Sequence, residues 1–192
     1  MTLNSLSDII HARRSTFPAI YNGEMVDNEV IKQILLNANQ APSHKHTEPW
    51  RFHIITGEKR YALANFFQKT YKDYTSPEAF KELKYKKLGK NPILASHIIV
   101  LGMEVDPNSG LPEWEEIAAV SCAVQNIYLS ITAANLGGYW SSPGLMIDNI
   151  SQFIDIRENE KCLGFFYIGI PKHKINQDVK KGPVTDKTKW YV

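Results

Sequence analysis

The chain is 192 residues long, 43% hydrophobic and 22% charged, with a formal net charge of +2 at pH 7. That is the composition of an ordinary globular protein, long enough for one domain spanning 1–192 with a substantial core. So small a net charge gives no argument for nucleic acid or a membrane surface as partner.

In chain order, Ser5–Arg13 reads as a helix with Leu6, Ile9 and Ile10 on one face, ending in Arg13-Arg14-Ser15-Thr16-Phe17-Pro18. Cations suit a helix C-terminus. Guanidinium groups with a serine hydroxyl beside them also form a clamp for phosphate. Taken alone, the dipole reading comes first, because Arg-Arg-Ser often occurs by chance. The opening residues, Met1-Thr2-Leu3-Asn4-Ser5, show no basic n-region and no apolar h-region, so a cytoplasmic location is expected.

Asp27 is the expected N-cap of a second helix with Val30, Ile31, Ile34, Leu35 and Ala38 as its core stripe. That helix must stop before Pro42. Gln40-Ala41-Pro42-Ser43-His44-Lys45-His46-Thr47-Glu48-Pro49 then forms a polar loop pinned by prolines, leading into a strand, Trp50–Thr56. Rigidly held polar loops commonly carry binding residues. His44 and His46 suggest a metal, but no cysteine or carboxylate stands at ligand spacing, so no metal is expected.

Glu58–Lys69 reads as a helix, and Ser76-Pro77-Glu78 as the start of another running towards Leu88 with lysines on a solvated face. His97-Ile98-Ile99-Val100-Leu101, within Ser96–Met103, is a buried strand. Residues 105–112 form a turn-rich loop.

From Ile117 to Ile147 there is no charged residue. Ile117, Val120, Val124, Ile127, Ile131 and Ala134 are spaced for a helix over Ile117–Leu136. Small residues fill its other faces, so it is expected to be buried on most sides. Ser121, Gln125, Asn126, Ser130, Thr132 and Asn135 interrupt it and no basic cluster flanks it, so it is a core helix and not a membrane span. Gly137-Gly138 breaks it into the turn Tyr139-Trp140-Ser141-Ser142-Pro143-Gly144. Ile150–Glu158 reads as a short helix and Lys161–Ile170 as the strongest strand, ended by Pro171. Cys122 and Cys162 sit in apolar contexts and are expected to be free buried thiols. Residues 172–192 carry six lysines against Asp178 and Asp186 and end in two aromatics, an extended tail that packs on something. Three good strands among helices without βαβ alternation give an α+β fold.

Each of these signals is weak alone; their order is specific. Arg-Arg-Ser after the first helix, Ala-Pro-Ser…Pro-Trp-Arg-Phe before the first strand, an uncharged central helix, Gly-Gly-Tyr-Trp-Ser-Ser and a basic tail together resemble the FMN-dependent nitroreductase family, over essentially the whole chain. The small single-domain members with Ala-Pro-x-His-Lys are the most similar. The resemblance implies a layered α+β domain with a central mixed sheet flanked by helices around a buried central helix. It also implies an intertwined homodimer with FMN at the interface, and NADH or NADPH as electron donor.

By the same resemblance Arg13, Arg14 and Ser15 hold the FMN phosphate and ribityl chain, and Gln40 and His44 reach the flavin. Trp140, Ser141 and Ser142 meet the cofactor after the central helix, and Lys181 lies near the phosphate. Hydride would pass through flavin N5 to a nitroaromatic, quinone or similar acceptor in ping-pong fashion, with no catalytic side chain of the protein required. Two departures stand out: His46 and Glu48 occupy positions where many members have Asn and Gln. A flavin-binding or storage protein without turnover is the alternative from another class, and an interaction module for an acidic partner is a third.

Overall fold

The computed structural model describes residues 2–173 and 180–192. Among the described residues six α-helices and four strands carry the fold: α1 (Leu3–Ala12), α2 (Asn28–Ala38), β1 (Trp50–Ile55), α3 (Lys59–Asp73), α4 (Glu82–Leu94), β2 (His97–Glu104), α5 (Glu113–Ala133), β3 (Gly137–Ser141), α6 (Gly144–Asn149) and β4 (Glu160–Gly169). The sheet order is β1-β2-β4-β3. All three pairings are antiparallel, with Phe52 opposite Leu101, Val100 opposite Phe165, and Tyr139 opposite Tyr167. The expected mixed sheet is therefore, among the described residues, an antiparallel one.

Alternation along the strands divides the core in two. Ile99, Leu101, Met103, Phe166 and Ile168 face α2 and α5. Ile55, Ile98, Val100, Phe165 and Tyr167 face Leu63, Phe67, Met146 and Ile150 on the α3 and α6 side. The layered arrangement follows: helices, sheet, helices. The start of β2 is tied to the start of α2 by a buried polar chain. Val26 N donates to Ser96 Oγ at 2.7 Å, Ser96 Oγ lies 2.8 Å from His97 Nδ1, and His97 Nε2 lies 2.9 Å from Asn28 Oδ1.

Asp27 caps α2 as its sequence position implies, accepting from Glu29 N at 2.8 Å. Other expectations need correction. Gly137-Gly138 opens strand β3 and not a turn, because these residues let the backbone lie on the core. A Cβ at Gly138 would come within 2.1 Å of Ile131 Cδ1. Ser76-Pro77 closes a single turn that is not continued. Phe80 packs between Tyr71 and Tyr85, with ring centroids 5.2 and 5.5 Å away, and leaves Lys81 extended before α4. The helix expected over Ile150–Glu158 begins earlier, as α6, with Met146 and Ile150 fully buried one turn apart, and ends in a 3-10 turn at Gln152.

The central helix is not buried on most sides. Ala119, Val120, Ala123, Val124, Ile127, Tyr128 and Ile131 turn inward, whereas Ile117, Ala118, Cys122, Gln125 and Ala134 are exposed. Cys122 is thus an exposed thiol and Cys162 a half-buried one. Helix α1 likewise buries none of its residues, leaving Leu3, Leu6 and Ile10 exposed. Trp190 and Tyr191 in the tail are exposed too, and Lys174 and Asp178, part of its expected charge, lie outside the described residues. No helix among the described residues is long and apolar enough to cross a membrane.

Candidate functional site

Tyr128 organises one end of the site. Its ring packs edge-on against Phe166 with centroids 4.7 Å apart, which fixes it in the core. Its outer side is covered by the Arg13 guanidinium, 5.1 Å from the ring centroid, a cation on an aromatic face. The phenol oxygen accepts from Trp140 N at 3.0 Å and lies 3.4 Å from Ser15 Oγ. One aromatic side chain therefore gathers the first motif and the β3 motif, which are far apart in sequence. The backbone completes the junction: Thr16 N donates to Gly138 O at 2.7 Å.

Trp140 is held from the other side by β4. Its indole N–H donates to Leu163 O at 3.1 Å. Leu163 is the extra residue of a bulge between the Leu101–Gly164 and Gly102–Cys162 pairs. Gly164 has φ +128° there, and a Cβ on it would meet Ser141 O at 2.6 Å and Trp140 Nε1 at 2.8 Å. Only glycine fits. Ser141 closes β3, half-buried, while Ser142 is exposed beyond it.

Arg14 behaves differently from Arg13. Its Nη1 donates to His11 O at 2.6 Å and to Arg13 O at 2.8 Å, so it caps the end of α1. Arg13 is the half-buried cation beside Tyr128, and Arg14 a half-buried one turned onto the helix carbonyls.

The loop residues divide along α5. Gln40 is exposed just after α2, whose Asn37 is tied to α5 through Ser130 Oγ and Asn126 Nδ2. His44 lies at the other end of that helix, its Nδ1 2.5 Å from Glu115 Oε2. Glu115 and Tyr128 are 13 positions apart on α5, a separation of about 20 Å at 1.5 Å per residue. Lys181 is exposed, and among the described residues no hydrogen bond or ion pair ties it to the other candidates. The structure thus brings Arg13, Ser15 and Trp140 together, sets Arg14, Ser141 and Ser142 beside them in sequence, and keeps His44 and Lys181 apart.

Glu48 is exposed on the loop, with φ +44°. His46 lines a polar cavity of roughly 730 Å³ with Lys45, Arg51, Asp106 and Asn159, to which neither Arg13 nor His44 contributes. The described residues hold no cluster of three or more histidine, cysteine or carboxylate side chains able to bind a metal. Burial pushes the Cys162 thiol up to about 11, so it is a thiol and not a thiolate near neutrality.

Tyr128 and Glu115 carry most of this geometry and were missed by sequence reasoning. The one signal for Tyr128 was a polar-tipped aromatic inside an otherwise aliphatic helix, which has to place its hydroxyl on a partner. In the sequence Glu115 is one of three acidic residues, with Glu113 and Glu116, just ahead of the uncharged stretch.

The model of the nitroreductase family matches residues 10–170. The chain belongs to the nitroreductase family. A relative from Bacillus subtilis (strain 168), named "Putative NAD(P)H nitroreductase YfhC", is 30% identical over 95% of this chain and 92% of its own length. A nitroreductase-like family protein from Bacillus cereus superposes with a TM-score of 0.79 at 26% identity, covering 100% of this chain and 98% of its own. The FMN-dependent nitroreductase NfnB from Mycobacterium smegmatis, solved in complex with NADPH, superposes with a TM-score of 0.80 over the full length of both chains. At 16% identity it shows the shared fold. The family is one of oxidoreductases, and its model spans α2 to β4 together with the end of α1.

Proposed function

We propose that this nitroreductase-family chain is an FMN-dependent oxidoreductase driven by NADH or NADPH, and that residues 1–192 form one cofactor-binding domain. The observation that carries the reading is the Tyr128 junction, which gathers a half-buried Arg13, an exposed Ser15 and the Trp140 backbone around one phenol ring. The donor set fits FMN. Two guanidinium groups and a serine hydroxyl suit a phosphate dianion, and an indole edge with flanking serines suits a flat ring with polar margins.

Arg13, Arg14 and Ser15 would hold the phosphate and ribityl chain; Trp140, Ser141 and Ser142 would meet the ring, with Gln40, His44 and Lys181 completing the set. FMN held there would supply the redox chemistry between NADH or NADPH and a nitroaromatic, quinone or similar acceptor, in ping-pong order. The protein's own residues bind and orient, and none acts as a nucleophile.

Two donor sets at opposite ends of one helix do not face a single ligand within one protomer. They would meet if a second copy laid its α5 antiparallel to the first. The uncharged face of α5 at Ile117, Ala118 and Cys122, together with Leu3, Leu6 and Ile10 of α1, offers the surface for such a homodimer. Supporting this, the tail aromatics Trp190 and Tyr191 are exposed on the protomer.

The deciding experiment is an anaerobic visible spectrum of the purified protein before and after adding NADPH or NADH, then a nitroaromatic. A flavin spectrum that bleaches and recovers is the expected result. A flavin spectrum that does not bleach would point to flavin binding without turnover, and no flavin after reconstitution would refute the reading.

A further inference from the structure

The central helix grips the turn carrying His44 at two points. Glu115 Oε2 lies 2.5 Å from His44 Nδ1, and Glu116 Oε2 accepts from Thr47 Oγ1 at 2.8 Å. The carboxylates are consecutive on the first turn of α5, and their partners are the first residue of the 3-10 turn and the residue that caps it. Lys45 and His46, between those partners, have φ of 51° and 55°, and Glu48 follows at 44°. Three left-handed residues carrying a Cβ within four positions need to be held from outside.

Glu116 itself is 1% exposed, with Oε1 lacking any hydrogen-bond partner among the described residues. A carboxylate buried with one oxygen unpaired is costly to the fold. Its effect is on the loop, where it fixes Thr47.

Glu115 acts on the imidazole. An ionised carboxylate only accepts hydrogen bonds, so the short contact places a hydrogen on His44 Nδ1. In the neutral ring Nε2 is then the bare acceptor, on the side turned away from α5, which is the reverse of the tautomer a free imidazole side chain prefers. We propose that Glu115 is a positioning residue for the cofactor site: it orients His44 and sets its tautomer, so that Nε2 is the atom presented to the ligand. This rests on the FMN reading above. An acceptor at Nε2 matches the imide N–H of the flavin pyrimidine ring, the ring donor that the oxidised cofactor offers.

Two readouts test it, one of them independent of flavin. Side-chain 15N–1H correlation spectra of the apoprotein near pH 8 should show His44 protonated at Nδ1 in the wild type and at Nε2 in Glu115→Ala. Glu115→Gln, whose amide oxygen still accepts, should keep the Nδ1–H form. FMN titration should then show Glu115→Ala weakened about tenfold, the scale on which partners of metal-ligating histidines act. It should show no further loss when Glu115→Ala is added to His44→Ala. An Nε2–H tautomer in the wild type, or Glu115→Ala effects of equal size with and without His44, would overturn the proposal. A wild-type protein that takes up no FMN would overturn the cofactor reading instead, and the tautomer spectra would still decide the positioning.

Discussion

The two ends of α5 hold their candidate residues by opposite means. At the C-terminal end Tyr128 is 9% exposed, wedged on Phe166, and collects Arg13, Ser15 and Trp140 around one ring. At the N-terminal end two carboxylates reach out of the helix to a turn whose His44 side chain is 58% exposed. The first arrangement combines ring packing and hydrogen bonds to the phenol oxygen with the Arg13 cation on the ring face. The second depends on carboxylate hydrogen bonds, one to an exposed His44 and one from Thr47 to a Glu116 that is 1% exposed. A site assembled from both would be held by packing on one side and by an exposed histidine on the other.

Removing the packed end should cost most. Tyr128→Ala takes away an aromatic core residue and is expected to destabilise the protein by about 3–5 kcal/mol in denaturant unfolding. Tyr128→Phe keeps the ring and loses the acceptor for Trp140 N, for about 1–3 kcal/mol. Equal losses for the two would mean that the hydroxyl, and not the ring, holds the junction.

Gly164→Ala forces a Cβ against Ser141 O at a φ of +128°. We expect a loss of about 1–3 kcal/mol, accompanied by a shift in Trp140 fluorescence that other strand substitutions do not produce. An unchanged emission spectrum would separate the bulge from the indole. At the other end, Thr47→Val removes the hydroxyl that donates to Glu116 Oε2, a cost of about 1–2 kcal/mol by unfolding, while Thr47→Ser should restore the wild-type value.

The smallest effect is a pH dependence outside both ends. Burial, with the Arg60 charge adding to it, lowers the pKa of His97 below its ordinary value near 6.5. The unfolded chain therefore binds a proton at a pH where the native ring does not, and stability falls as pH drops below about 6.5 towards the native value. Urea midpoints at pH 7.5 and 5.5 should differ, and His97→Asn should reduce the difference. A midpoint that rises on acidification would contradict the sign.

The sequence carried the helices and inner strands because periodicity and caps are local. Asp27 and the run Ile98–Leu101 announced themselves without knowledge of the fold. It did not carry β3, since Gly137-Gly138 reads as a break until Ile131 and Phe166 are seen to occupy the space a Cβ would need. It misplaced the start of α4, where the aromatic packing of Phe80 overrides the local signal of Ser76-Pro77. Composition does not distinguish an uncharged helix face turned to the core from one left exposed, so the exposed side of α5 reads as core in the sequence. Among the site residues, Arg13 and Arg14 were indistinguishable as neighbours in sequence; the fold turns one onto Tyr128 and the other onto the carbonyls of α1. Glu115 and His44 are 71 residues apart, and nothing local relates them.

In the proposed homodimer the two donor sets would serve one FMN across a two-fold axis. This arrangement is tested most directly by mixing subunits of Arg13→Ala and His44→Ala, each expected to lose FMN as a homodimer. If the sets come from different protomers, each heterodimer has one intact site and one doubly broken site, and the mixture should recover binding at one FMN per heterodimer. Recovery of no FMN, with heterodimers verified by differential tags, would contradict the account and put both sets on the same protomer's ligand.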